Sequence, residues 1–329
     1  MAASRHDWID SLKFLGMFYI YIGHFGADAG KIYPFVFSFH VPLFFFISGL
    51  VCPSVKSNED VFRNIKKAFN SIIIPYFIFS IIGIAFLTIK YSYDYATIQK
   101  MIIDSFFGIR NKIPIGSLWF LTCLFIVIIF YNILERLFVN RIFIFLISFF
   151  IYANAKIWWS GEPSVMFNAD SALYYLAFYS FGTMISNKLI NEWVSPSCIY
   201  SKIRNYAVLL LSIFVMAYVY FKSAYEPFNG INVVQFQYIC YFIITIILFI
   251  PSIALSKIIG GKHILLLGRN SILLCGTEQI LKLSIASVLS IFGLAVSMKD
   301  PMDAVIYTCI CFFVSYFTFV KAYIYLKNR

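Results

Sequence analysis

The residues best placed to do chemistry in this chain are Lys13 and His24, separated by ten residues inside the apolar stretch IDSLKFLGMFYIYIGHFG. An ionisable side chain inside a bilayer costs roughly 2.5–3.5 kcal/mol on insertion scales, so such residues are rare unless function retains them. At about 100° per residue, eleven steps make three helical turns plus about 20°, which puts Lys13 and His24 on one face. Asp10, Met17 and Tyr21 fall on the same stripe. The helical rise separates the two ionisable groups by about 16 Å along the axis. One helix therefore carries a cation toward one membrane face and a titratable imidazole toward the other. An imidazole titrates near neutrality and can take a proton from a hydroxyl, or it can accept an acyl group itself. A histidine hydrogen-bonded in a helix interface is the plainer reading. Lys13 either snorkels to the interface or supplies a point charge for an anionic substrate. Asp10 is a partner for Lys13, lowering the cost of both in the membrane.

The elements that must hold these groups follow from composition. The chain of 329 residues is 61% hydrophobic, 20% aromatic and only 12% charged, with mean hydropathy +0.83. A soluble domain of this length cannot hide so much apolar surface, so the class is a polytopic, all-α membrane bundle. Apolar runs fall near residues 9–28, 33–52, 70–90, 117–137, 141–159, 171–187, 205–222, 234–256, 264–292 and 302–324. They predict ten spans, with Pro75 and Pro251 as kinks and with Trp8, Trp119, Trp158, Trp159 and Trp193 near run ends as interfacial anchors. No internal repeat, low-complexity segment or linker divides the chain, which predicts a single domain over 1–329. The start, MAASRHDWID, carries no small-residue cleavage site, so no removable signal peptide is expected.

Charge placement gives the orientation. With the N-terminus cytoplasmic, fifteen Lys and Arg fall in inside segments and eight in outside ones, while Lys13, Arg269 and Lys282 lie within spans. That excess predicts both termini in the cytoplasm. It also accounts for the net charge of +11 without nucleic acid as a partner. The longest outside connection, residues 91–116, is expected to form a lid or re-entrant piece. The seven cysteines, Cys198 among them, show no CxxC spacing. They read as small apolar residues, neither disulfides nor zinc ligands, and no metal or bound cofactor is expected.

Three further patterns accompany the Lys13–His24 pair: FHVPLFFFISGLV at 39–51, GSLWFLTCLF at 116–125 and LGRNSILLCGTEQI at 267–280. In this order the four resemble the acyltransferase-3 family of integral membrane acyltransferases, in its stand-alone sugar O-acetyltransferase branch. The resemblance implies a bundle of about ten helices, in a bacterial inner membrane, moving acetyl from acetyl-CoA to a hydroxyl of a cell-surface glycan or lipid-linked sugar. It makes His24 the general base or acyl carrier, with Lys13 and Asp10 beside it. Where the family commonly carries a histidine ten residues after the glycine of LGxNS, this chain has Glu278. Where it often carries two arginines after the second span, this chain has Arg63, Lys66 and Lys67.

The other candidates each have two readings. Arg63 and Lys67 either serve the donor's phosphates or are a solvated topogenic stretch. Arg269, near the cytoplasmic end of its span, is a further cation for the anionic donor. His40 either contacts the acceptor or sits at the interface, and Trp119 either stacks on a sugar or anchors a helix. Ser48 and Gly49 read as close-packing residues. From another class, a transporter or flippase for a lipid-linked saccharide would use the same polar track, but the halves show no hydropathy repeat. A polysaccharide polymerase would need a larger outside loop.

Overall fold

A computed structural model describes residues 6–159, 162–189, 199–222, 233–294 and 300–327. Arg5, Trp193, Cys198, Lys299 and Arg329 lie outside the described residues. Among those described there is no strand. The helices run α1 Asp7–Gly23, α2 Ile32–Phe37, α3 His40–Leu50, α4 Asn58–Ala68, α5 Ile74–Tyr91 and α6 Tyr95–Phe107. They continue with α7 Trp119–Leu137, α8 Arg141–Ala153, α9 Ala155–Trp158, α10 Ala169–Lys188 and α11 Ile199–Lys222. The last are α12 Val234–Ile258, α13 Lys262–Arg269, α14 Ser271–Ile291, α15 Pro301–Ser315 and α16 Lys321–Lys327.

Seven helical stretches among the described residues are long and apolar enough to cross a membrane: Ile32–Leu50, Asn58–Tyr91, Gly116–Leu137, Ile199–Lys222, Val234–Ile258, Ser271–Ile291 and Pro301–Leu326. Each matches one of the ten apolar runs. The other three runs are helical as well, in α1, α8 and α10, but α1 is 17 residues long with Asp7, Asp10 and Lys13 in it, and α8 has 13. The protein is a helical membrane bundle.

Local chemistry sets the helix ends. Ser57 and Asp60 form a capping box at the start of α4, each side chain satisfying the other's orphan backbone N–H. The Asp94 carboxylate accepts the Thr97 N–H at 3.0 Å and opens α6, while Gly108 ends it at φ 64°, a left-handed value that glycine takes without strain. The Thr97 side chain and then its backbone hold the Asp94 carboxyl below the usual carboxylate range. Residues 91–116, expected to hold a lid or re-entrant piece, thus contain a capped helix of 13 residues. Asp300 opens α15 in the same way, accepting from Met302 at 2.8 Å and Asp303 at 3.1 Å. A π-helical turn at Phe69–Ile73 precedes Pro75, whose missing N–H falls in the first turn of α5. Pro251 lies inside α12.

The chain groups into two compact units. The first takes residues up to Ile47, Ile185–Leu274 and those from Val288 on; the second takes Ser48–Met184 and Cys275–Ser287. In the first, α1 is the inner helix, with Leu12, Met17, Tyr21 and Ile22 almost wholly buried. A Cβ on Gly16 would lie 2.5 Å from the Phe44 ring of α3, so glycine permits that approach. The Tyr21 ring packs on Phe312 of α15 at 4.8 Å, and the Tyr19 and Ser252 hydroxyls meet at 3.2 Å, joining α1 to α12.

In the second unit, α7 takes the inner position, burying Leu121, Cys123, Val127 and Tyr131. Asn64 of α4 donates to Asn132 Oδ1 at 2.9 Å. Arg141 pairs with buried Glu135 at 3.0 Å, and the Tyr131 ring packs on Tyr179 of α10 at 5.1 Å. A Cβ on Gly49 would lie 2.1 Å from the Tyr179 carbonyl oxygen, which bears out close packing at that glycine. No disulfide joins the described cysteines, Cys52, Cys123, Cys240, Cys275, Cys309 and Cys311.

Candidate active site

In the first unit, the stripe on α1 acquires a partner from the far end of the sequence. The α13 helix ends in Leu267, Gly268 and Arg269, and a Cβ on Gly268 would lie 1.9 Å from the Asp10 carbonyl oxygen. Only glycine lets the two backbones come this close. The approach sets the Arg269 Nε at 3.0 Å from Asp10 Oδ2 and its Nη2 at 3.1 Å from Asp7 Oδ1. Asp10 is 4% exposed in its side chain and Arg269 36%, so one end of the pair is dry and the other wet. Asn270 follows, its side-chain amide donating to the Leu266 carbonyl at 2.7 Å where α13 gives way to α14. The glycine, arginine and asparagine of the LGRNS motif thus act together: the first admits, the second pairs, the third ends the helix.

Sequence alone places Asp10 beside Lys13 and Arg269 beside an anionic substrate. The structure sets the Arg269 guanidinium across two carboxylates of α1, Asp10 and Asp7. Lys13, one turn further along α1, is half-buried, and Met17 and Tyr21 beyond it are buried. The Tyr21 hydroxyl donates to the Leu274 carbonyl at 3.0 Å, tying the stripe to the start of α14. Ser11, next to Asp10, donates to the Ile259 carbonyl at 2.7 Å.

His24 lies at the other end of the stripe. The helix is shorter than the apolar run, closing at Gly23, and His24 is its C-cap, with its N–H on the Ile20 carbonyl at 3.0 Å. The residue is exposed at the protein surface.

His40 opens α3 and is buried, its Nδ1 2.7 Å from the Val36 carbonyl oxygen. A carbonyl only accepts, so Nδ1 is the donor in this contact. The ring packs edge-to-face on Phe37 at 4.7 Å. A Cβ on Gly23 would meet that same Phe37 ring at 3.0 Å and Val36 Cγ2 at 3.4 Å. The segment carrying Val36 and Phe37 therefore contacts both the residue before His24 and the ring of His40. Nothing in the spacing announces this link, because α2 and the turn after it decide it.

In the second unit, Trp119 is buried at the start of α7, and the Arg110 guanidinium carbon lies 4.9 Å from its ring centroid. The backbone around it is pinned by Asn168, whose side-chain amide donates to Gly108 O at 2.7 Å and Thr122 Oγ1 at 3.0 Å. The Asn168 side-chain oxygen in turn accepts the Arg110 N–H at 2.7 Å. Trp119 thus uses a face on a protein cation, beside the anchoring and sugar-stacking readings. Asn168 gives no signal in the sequence beyond being a polar residue between apolar ones.

Glu278 is buried on α14 and pairs with Lys282 one turn on, Oε1 to Nζ 2.7 Å. Both lie in the second unit, as does Ser117, whose hydroxyl donates to the Cys275 carbonyl at 2.8 Å. On the same unit, Arg63, Lys66 and Lys67 line an open recess of about 430 Å3 with Asn70 and Ser71, and Arg63 pairs with Asp60 on its own helix. Among the described residues, no cluster of His, Cys, Asp or Glu is arranged to hold a metal ion.

Set against known proteins, residues 6–320 match the model of a family described as an acyltransferase domain. No curated protein and no solved structure matches the chain.

Proposed function

The chain belongs to the acyltransferase-3 family of membrane acyltransferases, and on that premise we propose that it moves acetyl from acetyl-CoA to a hydroxyl of a cell-surface glycan in a bacterial inner membrane. The observation that supports this reading is the stripe on α1. It runs from a dry aspartate paired with Arg269, past half-buried Lys13, to an exposed imidazole at the helix end.

Acyl transfer to a hydroxyl asks for these parts. His24 takes the proton from the sugar hydroxyl as its oxygen attacks the thioester carbonyl. The carbon–sulfur bond breaks, and the imidazolium returns the proton to the departing thiolate. In the covalent variant, an imidazole nitrogen attacks the thioester carbonyl and the carbon–sulfur bond breaks, the thiol leaving with the ring proton. The sugar oxygen then attacks the acyl-imidazole, the carbon–nitrogen bond breaks, and the hydroxyl proton returns to the freed ring nitrogen. Lys13, a stripe-length away from the imidazole, supplies positive charge to the anionic part of the donor. Asp10 and Arg269 hold α1 and α13 in register and act as positioning residues. Arg63 and Lys67 are assigned to the donor's phosphates, and His40 and Trp119 to the acceptor.

Purified protein incubated with radiolabelled acetyl-CoA tests the reading. We expect saturable binding with slow release of free coenzyme A. A transporter or flippase neither binds nor cleaves acetyl-CoA, and that result would replace the proposal.

A further inference from the structure

In the first unit, antiparallel α11 and α12 enclose a pocket of about 350 Å3 near the start of one and the end of the other. Its rim carries Lys202, Asn205 and Tyr206 from α11 and Lys257 from α12; its wall is apolar, with Leu209 and Ile253. Arg204, outside the lining, has its Nη2 3.4 Å from Asn205 Oδ1. Both helices are long and apolar enough to span a bilayer. The cations therefore stand at one end of two spans, at headgroup depth, and the apolar wall runs from them toward the hydrocarbon. Beyond the pocket, one turn on from Leu209, α11 continues that face with exposed Ile213.

We propose that this pocket binds one anionic phospholipid. Basic pockets between spans recognise lipid headgroup phosphates, and polybasic contacts near a membrane surface contribute about 1 kcal/mol per Lys or Arg. The lysine ammonium groups take the phosphate, the Tyr206 hydroxyl and Asn205 amide meet the glycerol or headgroup oxygens, and an acyl chain lies along Leu209 and Ile253. Inorganic phosphate gains nothing from that apolar wall and a long acyl chain does, which is why the occupant is a lipid. The inference does not depend on the acyltransferase reading.

Native mass spectrometry of the full chain, titrated with phosphatidylglycerol or phosphatidylcholine, tests it. We expect one saturable phosphatidylglycerol site, preferred over phosphatidylcholine. Losing roughly 1 kcal/mol per lysine should weaken it about fivefold in Lys202→Gln or Lys257→Gln and about thirty-fold in the double variant. The double arginine variant keeps the charge and should bind within about twofold of the parent, which separates charge loss from misfolding. Lys262→Gln removes a nearby charge outside the pocket and should leave binding unchanged. Inorganic phosphate and coenzyme A should not compete. Equal binding of the two lipids, parent-like binding by the double glutamine variant, or competition by either soluble anion would overturn the proposal.

Discussion

Gly268 and Asp10 touch through their backbones: a methyl group on the glycine would lie 1.9 Å from the aspartate carbonyl oxygen. This contact joins two motifs far apart in sequence and delivers Arg269 to the buried end of the α1 stripe.

Gly268→Ala should therefore push α13 off α1. The obstructing atom is backbone and cannot rotate away, so the cost should reach or exceed the usual 1–3 kcal/mol, roughly, of an overpacked core. Thermal unfolding of the purified variant in detergent should show a clear fall in midpoint, with acyl transfer lost alongside. A parent-like midpoint would mean that the helices part at little cost.

The two carboxylates on Arg269 should differ sharply. Asp7 is 67% exposed in its side chain and Asp10 is 4% exposed. Asp7→Asn should cost under about 1 kcal/mol, as exposed ion pairs do. Asp10→Asn should cost about 1–3 kcal/mol, below the roughly 3–5 of a fully buried pair because Arg269 is partly exposed. Unfolding midpoints of the two variants check the order, and equal values would remove the distinction.

Glu278 and Lys282 allow structure to be separated from chemistry. Glu278→Gln leaves a Lys282 side chain only 14% exposed without its carboxylate, so both stability and glycan acetylation should drop. In the double variant Glu278→Gln with Lys282→Gln, the stranded charge is gone and the unfolding midpoint should recover. Acetylation should stay low if Glu278 bears on transfer, while Glu278→His should keep a measurable part. Recovered acetylation in the double variant would make Glu278 structural.

Much of this was legible in the sequence because periodicity is local. The stripe from Asp10 to His24 follows from 3.6 residues per turn, and the helical bundle follows from apolar runs. What was not legible depends on distant partners or on helix ends. Asp10 and Arg269 are 259 positions apart, and only the missing Cβ of Gly268 brings them together. The run 9–28 reads as one span, yet α1 closes at Gly23 and a short 3₁₀ turn follows at Gly26–Ala29. That moves His24 from mid-helix to an exposed cap. Asn168 organises Trp119 and Arg110 from a loop, where no period exists to reveal it.

We propose ten spans with both termini cytoplasmic, from the Lys and Arg asymmetry of the sequence. Reporter fusions after residues 60, 100, 195 and 329 should read inside, outside, inside and inside. An outside reading at 329 would make the span count odd.

The central claim is that the imidazole at the end of the α1 stripe performs acyl transfer, and the O-acetyl ester content of the surface glycan measures it most directly. In a strain whose only copy is His24→Ala, present in the membrane at parental level, we expect the esters to vanish. Lys13→Ala should lose nearly all of them and Lys13→Arg should retain a part. Near-parental ester content in His24→Ala would contradict the account.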